Sequence, residues 1–97
     1  MKIMISQPMR GKTNEQIRQE REELVKKLEM QGHKVVDTIF TEEMPIECDM
    51  PMYLLAKSIE AMSKVDAVIF MRGWKDARGC RIEHQVAVDY GKFVMEV

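Results

Sequence analysis

The stretch DAVIFM, residues 66–71, is the best guide to the fold of this chain. After Asp66 it is continuously apolar, which is typical of a strand that helices cover on both faces. An alternating pattern would instead indicate one solvated face. We therefore predict a buried strand of a parallel sheet at residues 66–71.

The segments around this strand alternate between strand and helix patterns. The predicted strands are residues 2–6, 33–37, 66–71 and 92–97, and the predicted helices begin at Asn14, Pro51 and Gly79. Connections this short require parallel strands joined by right-handed crossovers. We expect one α/β domain over residues 1–97, a three-layer flavodoxin-like sandwich with a four-stranded parallel sheet in the order 2-1-3-4.

Local signals define the helices further. Thr13 and Gln16 form a capping box before Asn14, and Gly32 is placed to end the first helix in a left-handed cap. The predicted solvated face of that helix comprises Arg18, Glu20, Arg21, Glu22, Lys26 and Lys27. The predicted buried stripes are Ile17, Leu24, Val25 and Leu28 in the first helix, Leu55, Ile59 and Met62 in the second, and Ile82, Val86, Ala87 and Tyr90 in the third.

Composition restricts the possible functions. The 97 residues carry a net charge of −1, which argues against a sequence-independent grip on nucleic acid. We expect no membrane segment and no signal peptide, and hence a cytoplasmic protein. Cys48 and Cys80 fit neither a disulfide framework nor a zinc spacing, and no metal-ligand cluster or cofactor motif is evident.

In open parallel sheets, ligands bind outside the carboxyl ends of the strands, where the strand order reverses. The predicted loops at that edge are residues 7–13, 38–50 and 73–79. The functional residues are expected to come from these loops.

The first of these loops follows strand one in the stretch SQPMRGKT, residues 6–13, which ends like a phosphate-binding P-loop. Ser6 stands where that motif needs glycine, and Pro8 lacks one of the backbone N–H groups that would hold a phosphate. A P-loop is therefore disfavoured. Two readings stay open: a structural turn in which Gly11 adopts a positive φ, and a ligand loop in which Arg10 meets an anionic or hydroxyl-rich ligand.

The stretch GWKDARGCRIEHQVAVDYGK, residues 73–92, contains Glu83 in the predicted first turn of the third helix. Free N–H groups and the helix dipole at that position favour an ionised carboxylate. An ionised glutamate above the strand ends could act as a nucleophile or a general base. It could equally do no more than complement the dipole.

Three stretches together, MKIMISQPMRGKTN, GHKVVD and VDAVIFMRGWKDARGCRIEHQVAVDYGKFV, resemble the nucleoside 2-deoxyribosyltransferase-like superfamily, in particular a small phage and bacterial branch. The resemblance covers almost the whole chain. It implies a flavodoxin-like fold and cleavage or transfer at the N-glycosidic bond of 2′-deoxynucleosides or their monophosphates. It also implies a homo-oligomer, a dimer or tetramer, in which a neighbouring subunit closes the pocket.

By the same resemblance, Glu83 is the nucleophile that attacks the anomeric carbon. Arg10 and Gly11 would surround the sugar and 5′-phosphate, Gly79 would lie beside the phosphate, and Trp74 would stack on a base or pack within the protein. The full set of implied substrate-binding residues is Ser6, Met9, Arg10, Gly11, Trp74, Asp76 and Gly79.

The chain also departs from the family pattern. Ser58 stands where superfamily enzymes usually carry an aspartate, Ala77 where the branch has serine, and Gln7 where the branch has glycine. Without an acid at position 58, protonation of the leaving base has no evident agent, although Asp49 or Asp76 could substitute.

The expected partner is therefore a small nucleoside or nucleotide, bound without a metal or cofactor. The alternative is a non-catalytic nucleotide-binding or interaction module of the same fold. A third possibility is glycohydrolysis of a nicotinamide dinucleotide, in which the bond also joins ribose to a base.

Overall fold

The computed structural model describes residues 1–40 and 47–97. Within these residues, four strands and three helices alternate, with a short 3₁₀ helix before the third helix. Their bounds are β1 (Lys2–Ser6), α1 (Asn14–Met30), β2 (Lys34–Val36), α2 (Met50–Met62), β3 (Ala67–Phe70), the 3₁₀ helix (Trp74–Asp76), α3 (Arg78–Asp89) and β4 (Phe93–Glu96).

The four strands form one parallel sheet in the order β2-β1-β3-β4. The predicted fold and strand order are confirmed. In the central pair, Ile3 lies opposite Ala67 and Ser6 lies opposite Phe70. This register brings the carboxyl ends of β1 and β3 together, so that the loops that follow them meet at one edge.

The alternate residues of the central strands point into two separate cores. On one face, Ile3, Ile5 and Ile69 pack against Leu28 of α1. On the other face, Met4, Val68, Phe70 and Met62 of α2 pack with Ala87 of α3. The continuous apolar sequence of β3 is therefore explained by helix cover on both of its faces.

The ends of α1 follow its sequence signals. The Thr13 side chain accepts a hydrogen bond from the Gln16 backbone N–H, and the Gln16 side chain accepts one from the Thr13 N–H, as the capping box predicts. Gly32 has a φ of +88°, the left-handed conformation that glycine adopts without strain. The turn between α1 and β2 therefore needs glycine at this position.

Two predicted helix faces need correction. Arg21 is not part of the solvated face of α1, because it is only 5% exposed. In α3, Ile82 is exposed, as is Tyr90 directly after the helix, and Cys80, Glu83 and Ala87 form the buried stripe instead. The sequence prediction assigned the buried faces of α1 and α3 by apolar character alone. It was wrong because the helix surfaces that face the carboxyl edge of the sheet carry polar residues.

The predicted loop at residues 38–50 is described only in part. Thr38 and Ile39 at its start are buried, and α2 begins at Met50, one residue before the predicted Pro51. Pro45 lies outside the described residues. Among the residues that the structure describes, no helix is long and apolar enough to cross a membrane.

Candidate active site

The loops after β1 and β3 meet at the carboxyl edge. The Met71 N–H donates to the Ser6 carbonyl oxygen at 2.9 Å, which extends the pairing of the two strands into the loops. A Cβ placed on Gly73 would lie 3.6 Å from the Cγ of Pro8. Two of the loops predicted to form the site are therefore neighbours in space.

Glu83 is not in the first turn of α3. The helix begins at Arg78, so Glu83 lies five residues beyond its first residue, and the first turn holds no acidic side chain. The free N–H groups of a helix belong to its first four residues. The predicted dipole effect on Glu83 is therefore wrong, and the state of this carboxylate depends on its tertiary contacts.

These contacts place the Glu83 side chain inside the protein, where it is 8% exposed. The Ser6 hydroxyl donates a hydrogen bond of 2.7 Å to Glu83 Oε2. Ser58 of α2 hydrogen-bonds the same side chain, and Arg21 of α1 attracts its charge. Glu83 is thus hydrogen-bonded from β1, and groups on α2 and α1 also favour its ionised form.

Burial raises the pKa of Glu83 above its ordinary value, and the hydrogen bonds from Ser6 and Ser58 and the charge of Arg21 oppose that rise. The helix position was expected to favour the ionised carboxylate, and hence a lowered pKa. The pKa is instead raised, so this expectation is wrong. A carboxyl group with a raised pKa can exchange protons, and its ionised form, oriented by the Ser6 hydroxyl, can attack carbon.

Cys80 extends this polar cluster. Its thiol is buried, one turn before Glu83 on the same face of α3. Burial raises the pKa of the Cys80 thiol, while a hydrogen bond with Ser6 lowers it and the charge of Glu83 raises it further. The Ser6 hydroxyl therefore lies between a thiol and a carboxylate, and Cys80 is kept in its neutral form.

The predicted ligand loop makes a tight turn. The Lys12 N–H donates to the Met9 carbonyl at 3.1 Å, and Gly11 has a φ of +77°. Lys12 also forms an ion pair of 2.9 Å with Glu20 of α1, which fixes the end of the loop. The structural role of Gly11 is confirmed, and the exposed Arg10 lies at this turn. Its contact with a ligand stays a prediction.

Trp74 is half-buried and packs against other rings of the protein. Its ring stacks on His84 with centroids 4.3 Å apart and an interplanar angle of 14°, and it lies 5.3 Å from the Phe70 ring. Its Nε1 donates to Glu96 Oε1 at 2.8 Å. The packing role that the sequence left open is therefore observed. His84 of α3 therefore lies against the aromatic rings of Trp74, in the 3₁₀ helix, and Phe70, in β3.

The remaining predicted residues lie near the edge with different surroundings. Asp76 is exposed in the 3₁₀ helix. Asp49 caps α2 by accepting a hydrogen bond from the Met52 N–H at 3.1 Å. Gly79 has an ordinary φ, and a Cβ added there would meet no atom within 4 Å. Packing therefore does not require glycine at position 79.

Sequence reasoning missed a second buried polar group, which links α1 to the strand ends. Arg21 Nε donates to Gln7 Oε1 at 2.8 Å, and Arg21 Nη1 contacts Thr38 Oγ1 at 3.3 Å. Gln7 Nε2 in turn donates to the Ile17 carbonyl at 3.1 Å. One signal was present, because Arg21 lies four residues after Ile17 and seven before Leu28, on the buried stripe itself.

Comparison with known proteins gives a family and no activity. Residues 1–96 match the family described as Domain of unknown function (DUF4406). The chain belongs to this family. No curated protein and no solved structure matches it.

The site of this DUF4406 protein is thus a buried carboxyl group with two serine hydroxyls, a thiol and a buried guanidinium around it. In the described ranges, 1–40 and 47–97, no group of three or more His, Cys, Asp or Glu side chains could hold a metal ion. The chemistry available from the described side chains is nucleophilic attack, proton exchange and the binding of an anion.

Proposed function

We propose that this protein cleaves or transfers at the N-glycosidic bond of nucleosides, 2′-deoxynucleosides or their 5′-monophosphates, with Glu83 as the nucleophile. The main supporting observation is the buried Glu83 carboxylate, whose Oε2 accepts the 2.7 Å hydrogen bond from Ser6 at the end of β1. Its place at the carboxyl edge agrees with where parallel sheets bind ligands.

The proposed reaction has two steps. The Glu83 carboxylate forms a bond to the anomeric carbon while the N-glycosidic bond breaks, and the departing base takes the electron pair and a proton. Water or a second base then attacks the same carbon and releases Glu83. Two displacements through oxocarbenium-like states retain the configuration of the sugar, as in retaining glycosidases.

The surroundings of Glu83 fit the first step. The Ser6 hydroxyl holds Oε2 of the carboxylate in position, so that the other oxygen can be directed at the sugar. Ser58 occupies the place of the aspartate that the resemblance implies, and a serine hydroxyl does not supply the proton that a carboxylic acid would. The leaving base must therefore obtain its proton from another group or from water, which limits the rate for poor leaving groups.

We propose that the protein works as a homo-oligomer. Phe93, the first residue of the edge strand β4, is 68% exposed, and Val97, directly after the strand, is 57% exposed. Apolar side chains on an unpaired edge favour association. A second subunit would cover this edge and limit water near the site, which an oxocarbenium-like state needs.

The activity is tested by incubating wild-type protein with deoxynucleosides and their 5′-monophosphates and measuring free base by chromatography. The matched variants are Glu83→Gln and, as a control on an exposed face, Glu22→Gln, whose ion pair with Lys26 is solvated. We expect base release by wild type and by the control, and a loss on the order of 10³-fold or more in Glu83→Gln. Absence of base release in wild type, or equal rates in all three proteins, contradicts the proposal.

A second candidate function is a non-catalytic nucleotide-binding module. The raised pKa of Glu83 and the serine at position 58 favour it, since both weaken a nucleophilic mechanism. Calorimetry with the same nucleotides separates the two functions. Binding without turnover supports the module, whereas binding with turnover supports the enzyme.

A further inference from the structure

Among the residues that the structure describes, no carboxylate is hydrogen-bonded to the buried guanidinium of Arg21. The residue is 5% exposed, and the side-chain partners of Nε and Nη1 are the neutral Gln7 and Thr38. Asp37 and Glu83 attract the charge from a distance, and the Asp37 carboxylate is 57% exposed and paired with Arg18. Burial lowers the pKa of Arg21, which reflects the cost of holding this charge away from water.

One nitrogen of this guanidinium is unpaired. Arg21 Nη2 is buried and has no hydrogen-bond partner in the described part of the chain. A buried donor without a partner costs about 1–3 kcal/mol, and more when it is charged. Such a group indicates a place that an ion, a water molecule or a ligand completes.

The guanidinium is nevertheless well oriented. Gln7 holds its Nε from one side, and Gln7 itself is fixed by its bond to the Ile17 carbonyl. The contact with Thr38 is longer, at 3.3 Å, and Thr38 Oγ1 reaches the Ile5 carbonyl at 3.4 Å. Long hydrogen bonds are weak, so the bond from Nη1 to Thr38 can be exchanged for one to an incoming anion at little cost.

We propose that Arg21 binds an anionic phosphate group of the ligand through its Nη2, at the carboxyl ends of β1 and β2. This inference rests on the proposed function, and it adds a residue from α1 to the loop of Arg10. A guanidinium suits this role because its fixed donors match phosphate oxygens and its charge persists at all relevant pH values. A monophosphate is then the preferred form of the substrate.

Binding is measured by calorimetry in the Glu83→Gln background, in which turnover is blocked. The probes are a deoxynucleoside 5′-monophosphate, the same deoxynucleoside, and inorganic phosphate. The variants are Arg21→Gln and Arg21→Lys, with Arg18→Gln as the control from the exposed face of the same helix, where Arg18 is 53% exposed.

We expect Arg21→Gln to weaken binding of the monophosphate by about 10-fold to 100-fold, as for a lost charge-assisted hydrogen bond. Arg21→Lys should retain part of the affinity, and Arg18→Gln and the binding of the unphosphorylated nucleoside should be unchanged. Binding of inorganic phosphate alone, abolished by Arg21→Gln, identifies a free phosphate site. Equal affinity of all variants for the monophosphate, or equal loss for nucleoside and monophosphate, overturns the inference.

A second measurement covers the case in which Arg21→Gln does not fold. The ¹⁵N resonance of Arg21 Nε in the Glu83→Gln protein should shift on titration with the monophosphate and not with the nucleoside. No shift, or a ligand-bound crystal structure in which Nη2 contacts only water, overturns the inference. Base release by wild type with an unaffected Arg21 resonance refutes this inference alone, whereas phosphate binding without base release refutes the enzymatic proposal alone.

Discussion

Ser6 and Glu83 are joined by a hydrogen bond of 2.7 Å across 77 positions of the sequence. It connects the last residue of β1 to the middle of α3 and lies where the loops after β1 and β3 meet. Both side chains are buried, at 2% and 8% exposure. A short bond between buried groups is stronger than one at the surface, so this pair fixes the position of the carboxylate.

Ser6→Ala removes that bond and raises the pKa of Glu83 further, because one of the groups that lower it is lost. Since the nucleophile must be ionised, the acid limb of the pH profile of kcat/KM should move to higher pH. The stability should fall by about 1–3 kcal/mol, as for a buried partner left unsatisfied.

The control for this variant is Ser63→Ala at the exposed C-cap of α2, where the hydroxyl bonds only the Glu60 carbonyl. Its pH profile should match that of wild type. If the acid limb of the kcat/KM profile does not shift in Ser6→Ala, the hydrogen bond from Ser6 does not lower the pKa of Glu83.

The stability of the fold should depend on the ionisation of Glu83. Burial raises its folded-state pKa above the ordinary 4.5, so the protonated form favours folding. This contribution is fully present below the ordinary carboxyl pKa and is lost as the pH rises through the raised value. Glu83→Gln should remove this decline. The test is to measure the free energy of unfolding by urea between pH 4 and neutrality. The same dependence on pH in wild type and Glu83→Gln would contradict the prediction.

Gly11 offers a test that separates a turn from a ligand loop. Its φ is +77°, and a Cβ there would meet no atom within 4 Å. Asparagine tolerates this conformation, so Gly11→Asn should cost only about 1 kcal/mol. If a ligand approaches the backbone here, the variant should weaken nucleotide binding by about 10-fold.

Gly32→Asn is the matched control, because Gly32 has a φ of +88° and equally open surroundings at the opposite edge of the sheet. It should have a similar effect on stability and none on binding. Equal nucleotide affinity in both variants would leave Gly11 with the role of a turn residue only.

Trp74 and Glu96 should be coupled in stability. Trp74→Phe keeps the ring next to Phe70 and His84 but loses the 2.8 Å bond to Glu96, at a cost of about 1 kcal/mol. Glu96→Ala loses the same bond. In a double-mutant cycle measured by urea unfolding, the two losses should overlap by about 0.5–1 kcal/mol. Strictly additive losses would contradict the bond.

The architecture could be predicted because its signals are local. The buried run of β3, the capping box at Thr13 and the positive φ of Gly32 each depend on a few neighbouring residues. The short connections then favoured the strand order 2-1-3-4, and that order predicted which loops lie at the carboxyl edge of the sheet. The carboxyl edge followed from that order, whereas Glu83 and Ser6 were expected from the helix pattern and the family resemblance.

The surroundings of the site could not be predicted in the same way. The buried guanidinium of Arg21 is hydrogen-bonded to Gln7 and Thr38, which lie in the loops after β1 and β2. From its charge alone, the Arg21 side chain was expected to be exposed to solvent. The start of α3 at Arg78 places Glu83 beyond the first turn, and burial of its side chain, which local sequence signals do not reveal, raises its pKa. Tertiary contacts decided both outcomes.

The central claim is that Glu83 is a nucleophile, and the stereochemistry of the reaction tests it most directly. When the wild-type protein cleaves a deoxynucleoside in water containing methanol, methanol can replace water as the acceptor, and proton NMR shows the configuration of the methyl deoxyriboside formed. We predict a product with retained configuration, and no such product from Glu83→Gln. A product with inverted configuration, or no cleavage by wild type, would contradict the account.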